Sequence, residues 1–190
     1  MKHSVIPWPD RKKFAFSIID DTDNATIENI APVYNLLDSL NLRTSKTVWV
    51  YPPRDSFKGT SISDGEEYLN FIKSLIGKGF DIELHGVGSG SFQRDEIVKG
   101  IEKFKELLGR YPQIHINHSQ NPDNLFCGYR RFVFPLRWII KYLLPSQRIF
   151  KGDDEKSKHF WGDIAKKHIK YIRNHVFNEI NTQHYDNLIV

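Results

Sequence analysis

Short apolar runs alternate with longer amphipathic segments along the first two thirds of the chain. Four runs predict β-strands because they are short and rich in branched or aromatic residues; they cover residues 14–19, 46–51, 80–85 and 113–118. Between them, apolar residues recur at helical spacing and predict α-helices over residues 26–40, 64–76 and 94–108. This part of the chain is therefore predicted to be a series of strand–helix units.

The ends of the predicted strands recur at a nearly constant interval. They are separated by 31, 34 and 33 residues and fall at Asp20, Tyr51, His85 and His118. That interval is the length of one strand–helix unit, and it predicts a parallel sheet or a (β/α) barrel. A complete eight-unit barrel takes roughly 250 residues, whereas this chain has 190 and finishes on an apolar end. We therefore expect residues 1–190 to form a single domain, an incomplete barrel truncated at its C-terminus.

After residue 120 the alternation is weaker. The predictions there are a basic, aromatic helix over 129–144, an exposed loop over 151–158, an amphipathic helix over 161–174 and a strand over 176–181. The basic, aromatic segment 129–150 is compatible with peripheral contact with a membrane surface. A packed helix with a solvated basic face is the simpler alternative.

Composition limits the classes of protein to which the chain can belong. Apolar residues make up 39% and charged residues 26%, which is typical of a folded domain. The net charge of +4 is small and its cations are scattered, which argues against a nucleic-acid binder. A single cysteine, Cys127, excludes an internal disulfide and is expected to be a buried free thiol. Pro7 and Pro9 stand where a signal peptide needs an apolar run, so a cytoplasmic location is expected.

Acidic and imidazole side chains gather at the predicted strand ends. In parallel α/β folds this edge of the sheet binds ligands, so the side chains at the strand ends are expected to lie near one another: Asp20, Asp21, Asp23, His85 and His118. Adjacent carboxylates repel unless a cation offsets them, and a divalent metal would do so. The alternative is that Asp23 or a neighbour caps the following helix and that the other carboxylates are solvated.

Their positions at strand ends make His85 and His118 the candidate metal ligands. His85 precedes a glycine-rich turn over 86–90, which leaves space around its imidazole. His115 and His118 are three residues apart and cannot face the same way on a regular strand, so His118 is assigned to the pocket and His115 to the helical side. For both His85 and His118, the alternative is a structural histidine held by hydrogen bonds.

The runs Ile18-Ile19-Asp20-Asp21 and Leu84-His85-Gly86 resemble two motifs of the polysaccharide deacetylases, the NodB-homology family or carbohydrate esterase family four. This resemblance implies an α/β fold of the glycoside hydrolase/deacetylase type, which is an incomplete or distorted (β/α) barrel. It also implies that Asp20 is the catalytic base and that Asp21 and His85 bind a divalent metal, with Zn²⁺ as the expected ion.

Three features depart from that family's pattern. Ser89 stands four residues after His85, where the family has a second histidine ligand, and His118 is expected to replace it. Residues 117–121 stand where the family has an arginine–proline motif. The general acid has no clear counterpart, and His184, after the last predicted strand, is its candidate.

The sequence therefore favours a metal-dependent hydrolase that removes acetyl groups from a sugar or polysaccharide. One alternative is a catalytically inactive relative that binds carbohydrate. Another starts from Asp21-Thr22-Asp23, a D-x-D run typical of some phosphatases and glycosyltransferases, but it gives His85 and His118 no role.

Overall fold

Five parallel strands form one sheet in the computed structural model of the chain, which describes residues 10, 12 and 16–173. They lie side by side in chain order: β1 (Ile19–Asp20), β2 (Ser45–Val48), β3 (Asp81–Leu84), β4 (Ile114–Ile116) and β5 (Tyr171–Arg173). The sheet curls so far that Arg173, at the end of β5, binds Asp21 just after β1. The architecture is thus a parallel α/β half-barrel.

Five α-helices accompany the sheet in the described part of the chain: α1 (Ile27–Ser39), α2 (Glu66–Gly77), α3 (Arg94–Leu108), α4 (Leu136–Leu143) and α5 (Gly162–His168). Short 3₁₀ turns at Tyr129–Arg131 and Pro145–Arg148 flank α4. No helix among these residues is long and apolar enough to cross a bilayer.

The core lies between the sheet and the first three helices. Val48 and Leu84 on neighbouring strands are fully buried and pack with Ile72 of α2 and Phe104 of α3. Burial of such side chains is the main driving force for folding, at roughly 1.5–3 kcal/mol each. The packing holds β2, β3 and β4 rigidly, so the residues that follow these strands start from fixed positions.

The parallel sheet and the first three helices were predicted correctly. α3 agrees with its predicted bounds because local signals mark both ends: the backbone N–H of Gln93 donates to Glu96 at 2.9 Å, and Gly109 takes a left-handed φ of +80°. The strands are shorter than predicted. β2, for example, ends at Val48 because the N–H groups of residues 50 and 51 both donate to the carbonyl of Val87.

Two predictions after residue 120 were wrong in part. The helix predicted over 161–174 ends at His168, and Tyr171–Arg173 is a strand that pairs with β4. The helix predicted over 129–144 is α-helical only from Leu136, because the residue before Pro135 is disfavoured in the α region. The strand predicted over 176–181 lies outside the described residues.

Candidate metal centre

Asp23, His85 and His118 converge at the carboxyl ends of the parallel strands. Asp23 lies in the loop between β1 and α1, His85 directly follows β3, and His118 lies two residues after β4. One ligand atom from each residue lies within 4.8 Å of the others. Nε2 of His85 is 2.9 Å from Nδ1 of His118, and the Asp23 carboxylate oxygens lie 3.6 and 3.2 Å from these nitrogens respectively. The three side chains could together hold a metal ion.

The tautomer of His85 follows from its hydrogen bond to the backbone. Its Nδ1 lies 3.2 Å from the carbonyl oxygen of Ile116, which can only accept, so the proton is on Nδ1. In the neutral ring the lone pair is then on Nε2, which faces Asp23 and His118. A backbone carbonyl that fixes the tautomer in this way is characteristic of metal-binding histidines.

A relay of two side chains fixes the tautomer of His118. The Ser89 hydroxyl donates to the Asp55 carboxylate at 2.6 Å, so its oxygen accepts from Nε2 of His118 at 2.7 Å. The lone pair of His118 is therefore on Nδ1. Ser89 and His118 are both buried, so this geometry is protected from water.

In the neutral form of both rings, two imidazole lone pairs and a carboxylate thus face one another, and the two nitrogens lie at the hydrogen-bonding distance of 2.9 Å. Oδ1 of Asp23 is also buried and has no hydrogen-bond donor among the described residues. Such a group of acceptors is stable only with a cation among them, either an added proton or a metal. Burial lowers the pKa of His118 and the nearby His85 lowers it further, despite the opposing effect of Asp23, which disfavours the added proton. The arrangement favours a metal ion.

The charge of Asp23 is retained in this setting. Burial acts to raise the pKa of Asp23, but a hydrogen bond from His85 and the coulombic attraction of His85, His118 and Lys46 outweigh burial and lower the pKa overall. Asp23 is therefore a carboxylate at neutral pH, which is the form that binds a cation.

One asparagine shapes the loop after β4, and a second holds this loop against the turn after β3. Asn124 Oδ1 accepts the backbone N–H of His118 at 3.1 Å. Asn121 accepts the N–H of Gly90 at 2.9 Å and donates to the carbonyl of Gly88 at 3.0 Å. Because both asparagines are buried, the bonds of Asn124 hold the loop in shape and those of Asn121 fix its distance from the segment that follows His85.

Aromatic side chains enclose the imidazole pair. Trp49 stacks parallel to His85 at 6.5 Å between centroids and meets His118 edge-on at 5.3 Å. Phe57 covers His118 from another side at 4.7 Å. The side chains of His85 and His118 are only 3% and 2% exposed, whereas that of Asp23 is 29% exposed. Solvent therefore reaches the site past the carboxylate.

The other two carboxylates after β1 have partners of opposite charge. Asp20 binds the buried Lys46 ammonium at 3.2 Å and accepts a hydrogen bond from the Tyr34 hydroxyl at 2.9 Å. Asp21 pairs with Arg173 through one oxygen, while its Oδ1 is buried without a hydrogen-bond donor among the described residues. Both contacts of Asp20 are made by Oδ2, so each of the two carboxylates is held through one oxygen.

The structure brings together His85 and His118, as the sequence analysis expected, but Asp23 completes the group where Asp21 was expected. The sequence analysis placed Asp23 in a helix cap or in a D-x-D run, and not among the ligands with the two histidines. His115 packs on Trp161 next to α5 at 4.9 Å, on the helical side expected for it. His184 lies outside the described residues.

Ser89, Asp55 and Arg173 were missed by the sequence analysis. Ser89 was noted only as a departure from a family pattern, and its spacing from His85 was the one available signal. Asp55 and Arg173 lie far from the strand-end motifs and carry no local signal.

Cys127 is a buried free thiol, as expected from the sequence. Burial raises the pKa of this thiol, which keeps it protonated at neutral pH. It therefore has no place among the ligands of the site.

The chain was compared with family models, with curated proteins and with solved structures, and none of these matches it. The function must therefore be inferred from the side chains of the site and their surroundings.

Proposed function

We propose that this protein is a metal-dependent hydrolase that removes acetyl groups from a sugar or polysaccharide, with Zn²⁺ held by Asp23, His85 and His118. The observation that carries the proposal is the convergence of two imidazole nitrogens and one carboxylate oxygen, all within 4.8 Å of one another. Two histidines and one carboxylate are a typical ligand set of catalytic zinc sites, which leave a position for water. A bound divalent ion would lower the pKa of that water from 15.7 to about 7.

Asp21 is the best candidate for the general base. The resemblance to deacetylases assigns this role to Asp20, whose Oδ2 is bound by both Lys46 and Tyr34 and whose charge is not among those that act on His118. Asp21 has a free oxygen, and Arg173 fixes the orientation of its carboxylate. Its charge also acts on His118, where it raises the pKa, so Asp21 lies within electrostatic range of the site. A base placed in this way would accept the proton of the attacking water.

The sugar is proposed from the resemblance of the first and third strand ends to deacetylase motifs. The direction of approach is consistent with it, because the side chains of Asp20, Asp21 and Asp23 are 38%, 34% and 29% exposed. A polar substrate would meet these carboxylates first, with the imidazoles beneath them. Hydroxyl groups of a sugar are suitable donors to such acceptors.

The experiment combines metal analysis with a deacetylation assay. The zinc-reconstituted protein is expected to contain one Zn²⁺ per chain and to release acetate from an N-acetylglucosamine oligomer. His85→Ala should lose both properties, whereas His168→Ala, which removes a histidine on α5 away from the site, should keep both. Stoichiometric zinc that is unaffected by His85→Ala would overturn the metal site, and zinc without acetate release from N- or O-acetylated sugars would overturn the reaction.

A binding-only relative of such enzymes is the second candidate. One observation favours it: Ser89 occupies the place of a ligand in the deacetylase pattern and instead binds His118. Glycan binding that persists after metal removal, with no acetate release, would support this reading. The D-x-D alternative is less well supported, because Asp21 and Asp23 have different partners.

A further inference from the structure

We propose that the segment 129–149 docks on the surface of an anionic phospholipid bilayer. The docking face consists of six large apolar side chains that are exposed to solvent: Val133, Phe134, Trp138, Ile139, Tyr142 and Leu143. Val133 and Phe134, just before α4, are 76% and 77% exposed, and Leu143 at its end is 72% exposed. Such clustering of exposed apolar side chains marks an interaction surface rather than a core.

α4 has little support from the rest of the protein. None of its residues is buried, and it packs mainly on the 3₁₀ turns that flank it. Trp138 and Tyr142 stack on each other with their ring centroids 5.9 Å apart, so the two rings form one continuous aromatic part of the face. An amphipathic helix of this kind is suited to lie in the plane of a membrane interface.

Cations predominate around the docking face, where Arg130 alone is paired with acidic residues, Asp153 and Asp154, among the described residues. Residues 124–152 contain six cations and no acidic residue. The guanidinium groups of Arg137 and Arg148 bind backbone carbonyls, and neither makes an ion pair with a described residue. Lys141 lies over the rings of Trp138 and Tyr142, at 5.0 and 6.0 Å from the ring centroids. An anionic surface therefore complements this part of the protein.

The same charges argue against a second copy of the chain as the partner. Two docking faces brought together would place Arg137, Lys141 and Arg148 of both copies close to one another with no acidic residue of segment 124–152 between them. Like charges at an interface oppose association. The headgroups of anionic phospholipids would neutralise the cations, and the acyl region would receive the side chains of Phe134 and Leu143. Trp and Tyr side chains favour the boundary between the headgroups and the acyl region.

The test is co-sedimentation of the full chain with vesicles of phosphatidylcholine alone or mixed with phosphatidylserine. We expect binding to the mixed vesicles that weakens as salt is raised. The double variant Arg137→Gln with Arg148→Gln should reduce the partition coefficient about 30-fold, because the loss of each cation reduces it about fivefold and the two factors multiply. Phe134→Ser with Leu143→Ser should reduce it at least about tenfold.

Two matched controls alter comparable side chains elsewhere on the surface. Leu36→Ser removes an exposed leucine from α1 and Lys73→Gln removes an exposed cation from α2; neither should change binding by more than about twofold. All altered positions are exposed, so thermal unfolding should confirm that every variant is folded. No binding to the anionic vesicles, or equal binding of wild type and both double variants, would overturn the proposal. Self-association abolished by the Phe134 and Leu143 changes, without vesicle binding, would assign the face to a second copy instead.

Discussion

Ser89→Ala tests whether the surroundings of the site hold a metal ligand in place. The Ser89 hydroxyl accepts a hydrogen bond from Nε2 of His118 at 2.7 Å and donates one to Asp55 at 2.6 Å. Its removal leaves the N–H of His118 without its acceptor and frees the ring to change tautomer. Nothing would then keep the lone pair on Nδ1, the ring nitrogen that faces Asp23 and His85.

The expected loss of zinc affinity and of stability in Ser89→Ala follows from the hydrogen bond between Ser89 and His118 and from the burial of both residues. Loss of an outer hydrogen bond to a metal-binding histidine typically reduces metal affinity 10- to 100-fold. Because Ser89 and His118 are almost inaccessible to water, the unpaired N–H should also reduce stability by about 1–3 kcal/mol. We therefore expect Ser89→Ala to fold, to bind Zn²⁺ about 10- to 100-fold more weakly and to unfold at lower denaturant.

Zinc affinity is measured by competition with a chromophoric chelator at fixed pH. Ser61→Ala is the matched control, since Ser61 is equally buried and its hydroxyl has no hydrogen-bond partner in the described part of the chain. It should leave zinc affinity unchanged. Equal zinc affinity for wild type and Ser89→Ala would refute the inference that the Asp55–Ser89–His118 relay orients a metal ligand.

Three further predictions concern other parts of the molecule. Asp21→Asn should retain zinc but lower the rate of acetate release by about 10²- to 10⁴-fold, as measured by single-turnover assays; an unchanged rate would exclude Asp21 as the base. Burial raises the pKa of Asp123 to about 7, so the folded state keeps a proton that the unfolded state loses above about pH 4. Stability should therefore fall between about pH 4 and 7, by up to about 4 kcal/mol, in urea titrations of the wild type relative to Asp123→Asn; parallel curves would contradict the assignment. Gly152→Ala should cost at least about 2 kcal/mol because its Cβ would lie 2.0 Å from the backbone oxygen of Asp123, whereas Gly77→Ala, with nothing within 4 Å, should be tolerated; equal stabilities would refute the packing.

The parts of the fold predicted from sequence are those that local forces determine. The ends of α3 are marked by residues within a few positions of each other, so its bounds could be predicted. β5 is different, because Tyr171–Arg173 is a strand only through its pairing with β4, more than fifty residues earlier in the chain. The apolar residues of this segment also recur at helical spacing. The sequence analysis therefore predicted that the preceding helix continues through it.

The same distinction between local and long-range determinants explains which residues of the site could be predicted. His85 and His118 could be predicted because the ends of neighbouring parallel strands necessarily meet at one edge of the sheet. Which carboxylate joins them depends on the path of the loop after β1, where Asn24 takes a positive φ of 58° and turns the chain. The partner of Asp21 is Arg173, on the opposite edge of the curled sheet, and no local pattern reports such a contact.

The most direct test of the metal centre is anomalous diffraction at the zinc edge from crystals of the zinc-loaded protein. We expect one strong peak within bonding distance of a carboxylate oxygen of Asp23, Nε2 of His85 and Nδ1 of His118. A peak bound to Asp21 in place of Asp23, or no peak between the two imidazoles, would contradict the account.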